Sequence, residues 1–303
     1  LTATLRIRGT VRQINGTLVM GVVNASPESF SDAGRYATVD DRIALAKELV
    51  AAGADVIDIG GQSAITNQPE VQAALEIERV VPIVEWLHRA HPDVLISVDT
   101  YKPPVVDAAL AAGADIINDV SGLLYPEVAG KAGAAGAALV IMHNRARPKV
   151  RLQDPDLYDD VLADVVSFLA TRMESAVEAG MPREGIVLDP GPDFTKTPHQ
   201  TLAVLRGLDA LRALGRPLLL ALSRKDFLGA ILNRPPRGRD AGSLAALALL
   251  GAAGGNIARV HDVAASVDVV RTVDYLMGRQ ELAESYLLPE DLRHERSVAG
   301  AAG

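Results

Sequence analysis

The sequence predicts a single (β/α)8 barrel preceded by a small β-hairpin, and three observations lead there. Short apolar runs alternate with helix-length amphipathic segments, about eight of each, from the opening run to the last helical stretch. Each run stops at a polar or charged residue, as barrel strands do when they deliver side chains to the C-terminal face. One unit is also echoed: Ala52-Gly53-Ala54-Asp55-Val56-Ile57-Asp58 resembles Ala112-Gly113-Ala114-Asp115-Ile116-Ile117-Asn118, a helix stop leading into a strand each time. No Gly-x-Gly-x-x-Gly follows the first run, which disfavours an open doubly wound sheet.

Thr2–Ile7 and Thr10–Ile14 alternate polar and apolar around Arg8-Gly9, and read as a hairpin plugging one end of the fold. The opening strand is Thr17–Val23. A loop rich in Ser, Pro and Asp follows it, then a helix over Asp40–Ala52 ending at Gly53. Asp55–Ile59 is a strand and Glu70–His91 a helix closed by Pro92. Val94–Val98 ends at Asp99-Thr100, and the helix Pro104–Ala112 stops at Gly113. Asp115–Ile117 ends at Asn118-Asp119. A helix near Pro126–Ala135 precedes the strand Ala137–Met142, which ends at His143. Asp156–Ala179 reads as one long helix, Gly185–Leu188 as a strand ending at Asp189-Pro190-Gly191, and Pro198–Leu214 as a helix. Pro217–Leu222 ends at Ser223-Arg224-Lys225. Asp240–Ala253, Asn256–Val260 and Asp262–Met277 complete the cycle as helix, strand and helix.

The expected organisation is one domain over residues 1–280 and a charged, mixed tail over 281–303, disordered at Ser297–Gly303. The 303 residues, 49% of them hydrophobic, supply one large core. A net charge of −8 argues against a broad nucleic-acid surface. Absence of cysteine excludes disulfides, thiolate metal sites and a cysteine nucleophile. With no apolar run of spanning length and no signal-peptide core, a soluble cytoplasmic protein is expected.

The barrel converts a scattered set of strand-end residues into one cluster: Asn24, Asp99, Asn118, His143, Asp189, Lys225, Arg259 and His261. A lone polar residue at a strand end is usually a turn former or a cap. Eight together, of both signs, point to a site. Asp99, Asn118 and Asp189 offer carboxylates and an amide, suited to a flat heterocycle with several N–H donors, such as a pterin or a purine. Lys225, Arg259 and His261 offer cations, suited to a diphosphate or a carboxylate. Ser223 reads as opening a helix whose first amides would favour an anion. Asn24 is a neutral oxygen donor able to hold Mg2+, which takes few protein ligands. His88, His91 and His294 fall on presumed helix surfaces or the tail and receive no role.

Several motifs in order, spanning roughly Leu18–Gly278, resemble the dihydropteroate synthase family. They are MGVVNASPESFSDAG (Met20–Gly34), DIGG (Asp58–Gly61), SVDT (Ser97–Thr100), INDVSG (Ile117–Gly122), MH (Met142–His143), DPG with Phe194 and Lys196, SRKDFLG (Ser223–Gly229) and RVHDV (Arg259–Val263). The resemblance implies a (β/α)8 enzyme of folate biosynthesis. Such an enzyme joins 6-hydroxymethyl-7,8-dihydropterin diphosphate to para-aminobenzoate and releases diphosphate. It implies that Asp99, Asn118, Asp189 and Lys225 hold the pterin with Met142 and Phe194 against it. Asn24, Arg259 and His261 would hold diphosphate, with Mg2+ at Asn24. Ser223 and Phe30 would face the aminobenzoate, Lys225, Arg259 and Asp99 would carry the catalysis, and a homodimer would form through late helices.

One loop departs from the family pattern. Where the family reads Glu-Ser-Thr-Arg-Pro-Gly, this chain reads Gln62-Ser63-Ala64-Ile65-Thr66-Asn67-Gln68-Pro69, without the hydroxyl and the guanidinium. Loss of an arginine from an anion site is not a neutral exchange. Arg145 and Arg147, which follow His143, are candidates to return the charge. The departure leaves a second expectation beside an active synthase: a pterin-binding paralogue that does not use para-aminobenzoate. A methyltetrahydrofolate-type methyltransferase ranks lower, and a Schiff-base aldolase built on Lys225 is a further option.

Overall fold

The computed structural model describes residues 2–25, 38–62 and 69–294. Its hairpin pairs β1 (Ala3–Ile7) with β2 (Thr10–Ile14) in antiparallel register, Ala3 opposite Ile14 and Ile7 opposite Thr10. The two-residue turn places Arg8 at φ 50° and Gly9 at φ 71°, the double left-handed geometry that matches strand twist.

Eight parallel strands close the barrel: β3 (Thr17–Asn24), β4 (Val56–Gly60), β5 (Leu95–Asp99), β6 (Ile116–Asp119), β7 (Ala138–Met142), β8 (Ile186–Asp189), β9 (Leu218–Leu220) and β10 (Asn256–Val260). β10 closes onto β3 with Arg259 opposite Met20. Outside lie α1 (Val39–Ala51), α2 (Ala73–Ala90), α3 (Pro103–Ala112), α4 (Glu127–Ala134), α5 (Val161–Glu178), α6 (Pro198–Arg206), α7 (Leu208–Arg212), α8 (Asp226–Leu232), α9 (Asp240–Gly251) and α10 (Val263–Leu276).

Strand alternation sorts the apolar residues into two cores. Ile57, Ile59, Ile96, Val98, Ile117, Leu139, Ile141 and Leu188 point outward and pack under the helices. Met20, Val56, Leu95, Ile116, Ala138, Val140, Val187, Leu219 and Ile257 point inward and fill the lumen. Leu5, Ile7 and Ile14 of the hairpin join this second core, so the hairpin closes the N-terminal end of the barrel as the sequence predicts. Two arginines lock it there. Arg8 donates to both oxygens of Asp115, at 2.6 and 2.7 Å, and Arg216 donates to Thr4 O.

The sequence echo has a structural counterpart. Gly53 (φ 94°) and Gly113 (φ 108°) end their helices in the left-handed region that glycine enters without penalty. The aspartates two residues later each accept a strand amide: Asp55 from Val19 at 2.8 Å, and Asp115 from Ile96 at 2.9 Å.

The structure corrects several predicted boundaries. α5 begins at Val161, not Asp156, because Asp160 caps it by accepting from Leu162 and Ala163. α2 begins at Ala73, since Gln72 is extended (φ −62°, ψ 140°) and its carbonyl accepts the first helical bond, from Glu76 N. The predicted helix Pro198–Leu214 divides at Gly207, where a Cβ would lie 2.3 Å from Leu162 Cδ2. The helix expected to open at Ser223 starts three residues later, at Asp226. Residues 281–294 carry only a short 3-10 turn at Glu290–Leu292, and the predicted disordered end, 297–303, lies outside the described residues.

Candidate active site

The inward parity that fills the lumen continues to the mouth of the barrel. Above Leu95 on β5 come Ser97 and then Asp99; above Ile116 comes Asn118; above Val140, Met142; above Val187, Asp189; above Ile257, Arg259. Register pairs several of these residues across neighbouring strands. Asn24 is opposite Gly60, Gly60 opposite Asp99, Asp99 opposite Asn118, and Met142 opposite Asp189. For Asn24, Asp99, Asn118, Asp189 and Arg259 of the predicted cluster, the shared inward direction is a consequence of strand parity.

At its centre is a residue the sequence reading placed only inside a motif. Asp58 is fully buried on β4 and accepts from Ser97 Oγ at 2.6 Å, from Arg259 Nε at 2.7 Å and, weakly, from Asn118 Nδ2 at 3.4 Å. The available signal was an acid at an inward position of an otherwise apolar strand, VIDIG. A buried carboxylate is tolerable only with such partners. Arg259 also reaches Asp99 Oδ2 at 3.3 Å. Burial alone would ease the proton off this guanidinium, but Asp58 and Asp99 outweigh it and hold the charge.

The carboxylates are poised. Burial, reinforced by the charge of Asp58, raises Asp99 to about 7 although Arg259 opposes it. Burial raises Asp189 to about 6 against the Gly191 amide, which donates to Oδ1 at 2.7 Å. Lys225 is lowered by burial, opposed by Asp193 and then Asp189. Its Nζ lies 4.4 Å from the ring centroid of Phe194, within cation–π range. The amide oxygen of Asn118 is buried and has no hydrogen-bond partner among the described residues. An acceptor left open this way costs stability unless a ligand fills it.

Beside these acceptors a cleft of about 730 Å³ is lined by Val22, Ala221, Ser223, Arg224, Lys225, Pro235, Pro236, Arg237, Arg259 and His261. Ser223 Oγ stands 2.9 Å from His261 Nδ1. The first amides of α8 are already used: Asp193 Oδ2 accepts from Asp226 N at 2.6 Å and from Phe227 N at 3.4 Å. The expectation that this helix start meets a ligand anion is thereby corrected, because an internal carboxylate occupies it.

The structure does not bring His143 to the mouth. Its ring is fully buried between Asp164, 3.0 Å from Nε2, and Lys196, 2.7 Å from Nδ1. Burial, then the charge of Lys196, lowers it to about 3, so it stays neutral. Arg145 pairs with Asp164, whereas Arg147 and Lys149 line a hollow of about 50 Å³ with Gln62, Asp99, Tyr101 and Phe194. Of the two arginines considered, only Arg147 faces the site. Gln62, the first altered residue of the second loop, uses both ends of its amide. Nε2 donates to the Tyr101 hydroxyl at 3.2 Å, and Oε1 accepts from Val71 N at 2.7 Å and Lys102 Nζ at 3.1 Å. Phe30, Ala64 and Ile65 lie outside the described residues.

Asn24 ends β3 at the mouth. Among the described residues no group of three or more histidines and acids is arranged to hold a metal ion. A single neutral oxygen fits Mg2+ whose remaining ligands are water and phosphate oxygens.

A family model described as a pterin binding enzyme matches residues 20–261. The chain is 41% identical over 264 residues to the dihydropteroate synthase of Bacillus subtilis, covering 87% of this chain and 90% of the relative. With the corresponding protein of Synechocystis it is 40% identical, over 86% of this chain and 90% of the relative. Among solved structures it resembles the Yersinia pestis dihydropteroate synthase in complex with a sulfonamide drug (TM-score 0.85, 36% identity, 91% of this chain and 100% of that one). It also resembles the Burkholderia cenocepacia dihydropteroate synthase complexed with 7,8-dihydropteroate (TM-score 0.81, 37% identity, 92% and 98%). With this identity and coverage, the chain belongs to the pterin-binding enzyme family and, within it, to the dihydropteroate synthases.

Proposed function

We propose that the chain condenses 6-hydroxymethyl-7,8-dihydropterin diphosphate with para-aminobenzoate, giving dihydropteroate and diphosphate in folate biosynthesis. The observation that carries this reading is the open Asn118 acceptor, which shares its inward parity with Met142 and Asp189 in a barrel from this family. Asp99, Asn118 and Asp189 accept the ring's N–H donors, Lys225 donates to it, and Met142 and Phe194 cover its faces. Asn24, Arg259 and His261 hold the diphosphate. Mg2+ at Asn24, when bound, neutralises charge on the leaving group. The bond from the pterin methylene carbon to the diphosphate oxygen breaks with its electron pair leaving on oxygen. The aryl amine then attacks that carbon and loses a proton. The Arg259 guanidinium and the His261 ring serve the oxygen on which negative charge develops, and Lys225, Arg259 and Asp99 carry the catalysis. Ser223, with Phe30, receives the aminobenzoate.

The second subunit of a homodimer is proposed to cover an apolar groove of about 640 Å³ outside the barrel, lined by Leu205, Phe227, Ile231, Leu232 and Leu249. No helix among the described residues is long and apolar enough to cross a membrane.

The test is turnover of purified protein with both substrates and Mg2+, with chromatographic detection of dihydropteroate. One observation favours a second reading, a pterin enzyme with another acceptor: Asp193 already fills the anion position at the start of α8. Pterin binding without dihydropteroate, together with turnover of an uncharged aryl amine, is the outcome that selects it.

A further inference from the structure

Lys196 is fully buried, and nothing in the proposed chemistry uses it. Its ammonium donates to three acceptors: His143 Nδ1 at 2.7 Å, Gly191 O at 3.0 Å and Phe194 O at 3.1 Å. Three N–H bonds meet three lone pairs, so the group is saturated. The two carbonyls bracket a strained turn in which Gly191, Asp193 and Thr195 have φ of 63°, 64° and 50°. That turn follows Asp189 directly, carries the aspartate that caps α8, and ends on the Phe194 ring that covers Lys225.

Behind Lys196 runs a chain of partners. Asp164 accepts from His143 Nε2–H, which leaves Nδ1 as the acceptor Lys196 needs, and Arg145 holds Asp164. The turn is tied from the same side by Tyr158, whose hydroxyl donates to Thr195 O at 2.9 Å.

We infer that Lys196 is a positioning residue: through Gly191 and Phe194 it sets the turn that places Asp189 and Phe194 at the barrel mouth. The inference rests on the reading of that mouth as a pterin site. Burial lowers Lys196 to about 7, with Asp189, Asp164 and Asp193 favouring its charge and Lys225 opposing it; His143 beside it is neutral. On losing its proton the amine keeps two N–H bonds for three acceptors, and the clamp loosens. The same change makes the folded chain more stable, because from pH 7 to the unfolded value near 10.5 the unfolded state holds the extra proton. Positioning and stability therefore move in opposite directions with pH, which a purely structural lysine would not produce.

The experiment compares wild type, Lys196→Met and Asp164→Asn, by calorimetry with 6-hydroxymethyl-7,8-dihydropterin and by hydrogen exchange of the unliganded proteins. Expected for Lys196→Met are pterin affinity at least tenfold weaker, loss of the limb in which wild-type affinity falls above pH 7, and at least tenfold faster exchange over residues 190–197 with the barrel strands unchanged. Asp164 is partly exposed, so Asp164→Asn keeps the fold while freeing the His143 tautomer. It should weaken pterin binding threefold to tenfold, and it decides the matter if Lys196→Met does not fold. Unchanged affinity in either variant, or a pH limb that survives in Lys196→Met, overturns the assignment. Wild type that binds no pterin overturns the reading of the site instead, and the exchange rates still judge Lys196.

Discussion

Arg259 Nε lies 2.7 Å from Asp58 Oδ2, tying the last strand of the barrel to its second strand beneath the mouth. The carboxylate is fully buried, so removing its partner leaves an uncompensated charge. Arg259→Met should lower stability by about 3–5 kcal/mol in urea unfolding. Adding Asp58→Leu should recover most of that loss while leaving the enzyme inactive. Additive destabilisation in the double variant would show that the two residues are not coupled.

Asn118→Ala separates binding from folding. Its amide oxygen has no partner among the described residues, so little internal bonding is lost. Pterin affinity should fall by about 1–3 kcal/mol, the cost of a missing buried hydrogen bond, with the unfolding midpoint nearly unchanged.

Lys225→Ala should reduce kcat/KM at least a hundredfold while the protein stays folded, because its ammonium stands over Phe194 at the mouth and bridges no described acid. Turnover within tenfold of wild type would remove Lys225 from the catalytic set.

The carboxylates give two pH signatures. Asp99 titrates near 7 in the folded chain and 3.8 unfolded, so its contribution to stability is full below about pH 4 and lost as pH rises through 7. Asp99→Asn should therefore compare more favourably with wild type at pH 8 than at pH 5, by about 1–3 kcal/mol. Asp189 must be ionised to accept two donors, and pterin affinity should drop below about pH 6. Asp189→Asn should abolish that drop.

Arg147→Ala should raise KM for the aryl amine about threefold to tenfold and leave pterin affinity alone, if this arginine returns the cation missing at Ile65. An unchanged KM would assign Arg147 to the solvent.

The barrel, its hairpin and the strand-end residues were legible because each depends on local signals: apolar runs, glycine stops, and polar residues at fixed parity. Three features were not. Asp58 looked like part of a glycine-rich motif, since nothing in VIDIG says that an arginine about two hundred residues later will neutralise it. His143 stood in the cluster by position, but it follows the inward Met142 and takes the outward parity, where Lys196 and Asp164, from other elements, enclose its ring. The start of α8 was misplaced because its cap is not local: Asp193, 33 residues upstream, supplies it.

The hairpin that seals the lumen has a consequence for traffic. A vessel stoppered by Leu5, Ile7 and Ile14 has one doorway, so every reactant enters and every product departs through the same rim. In the proposed site the pterin ring rests on Asn118 and Met142. On the proposed reaction it boards before the aryl amine and leaves joined to it as one product, by the one end of the tube that is not plugged.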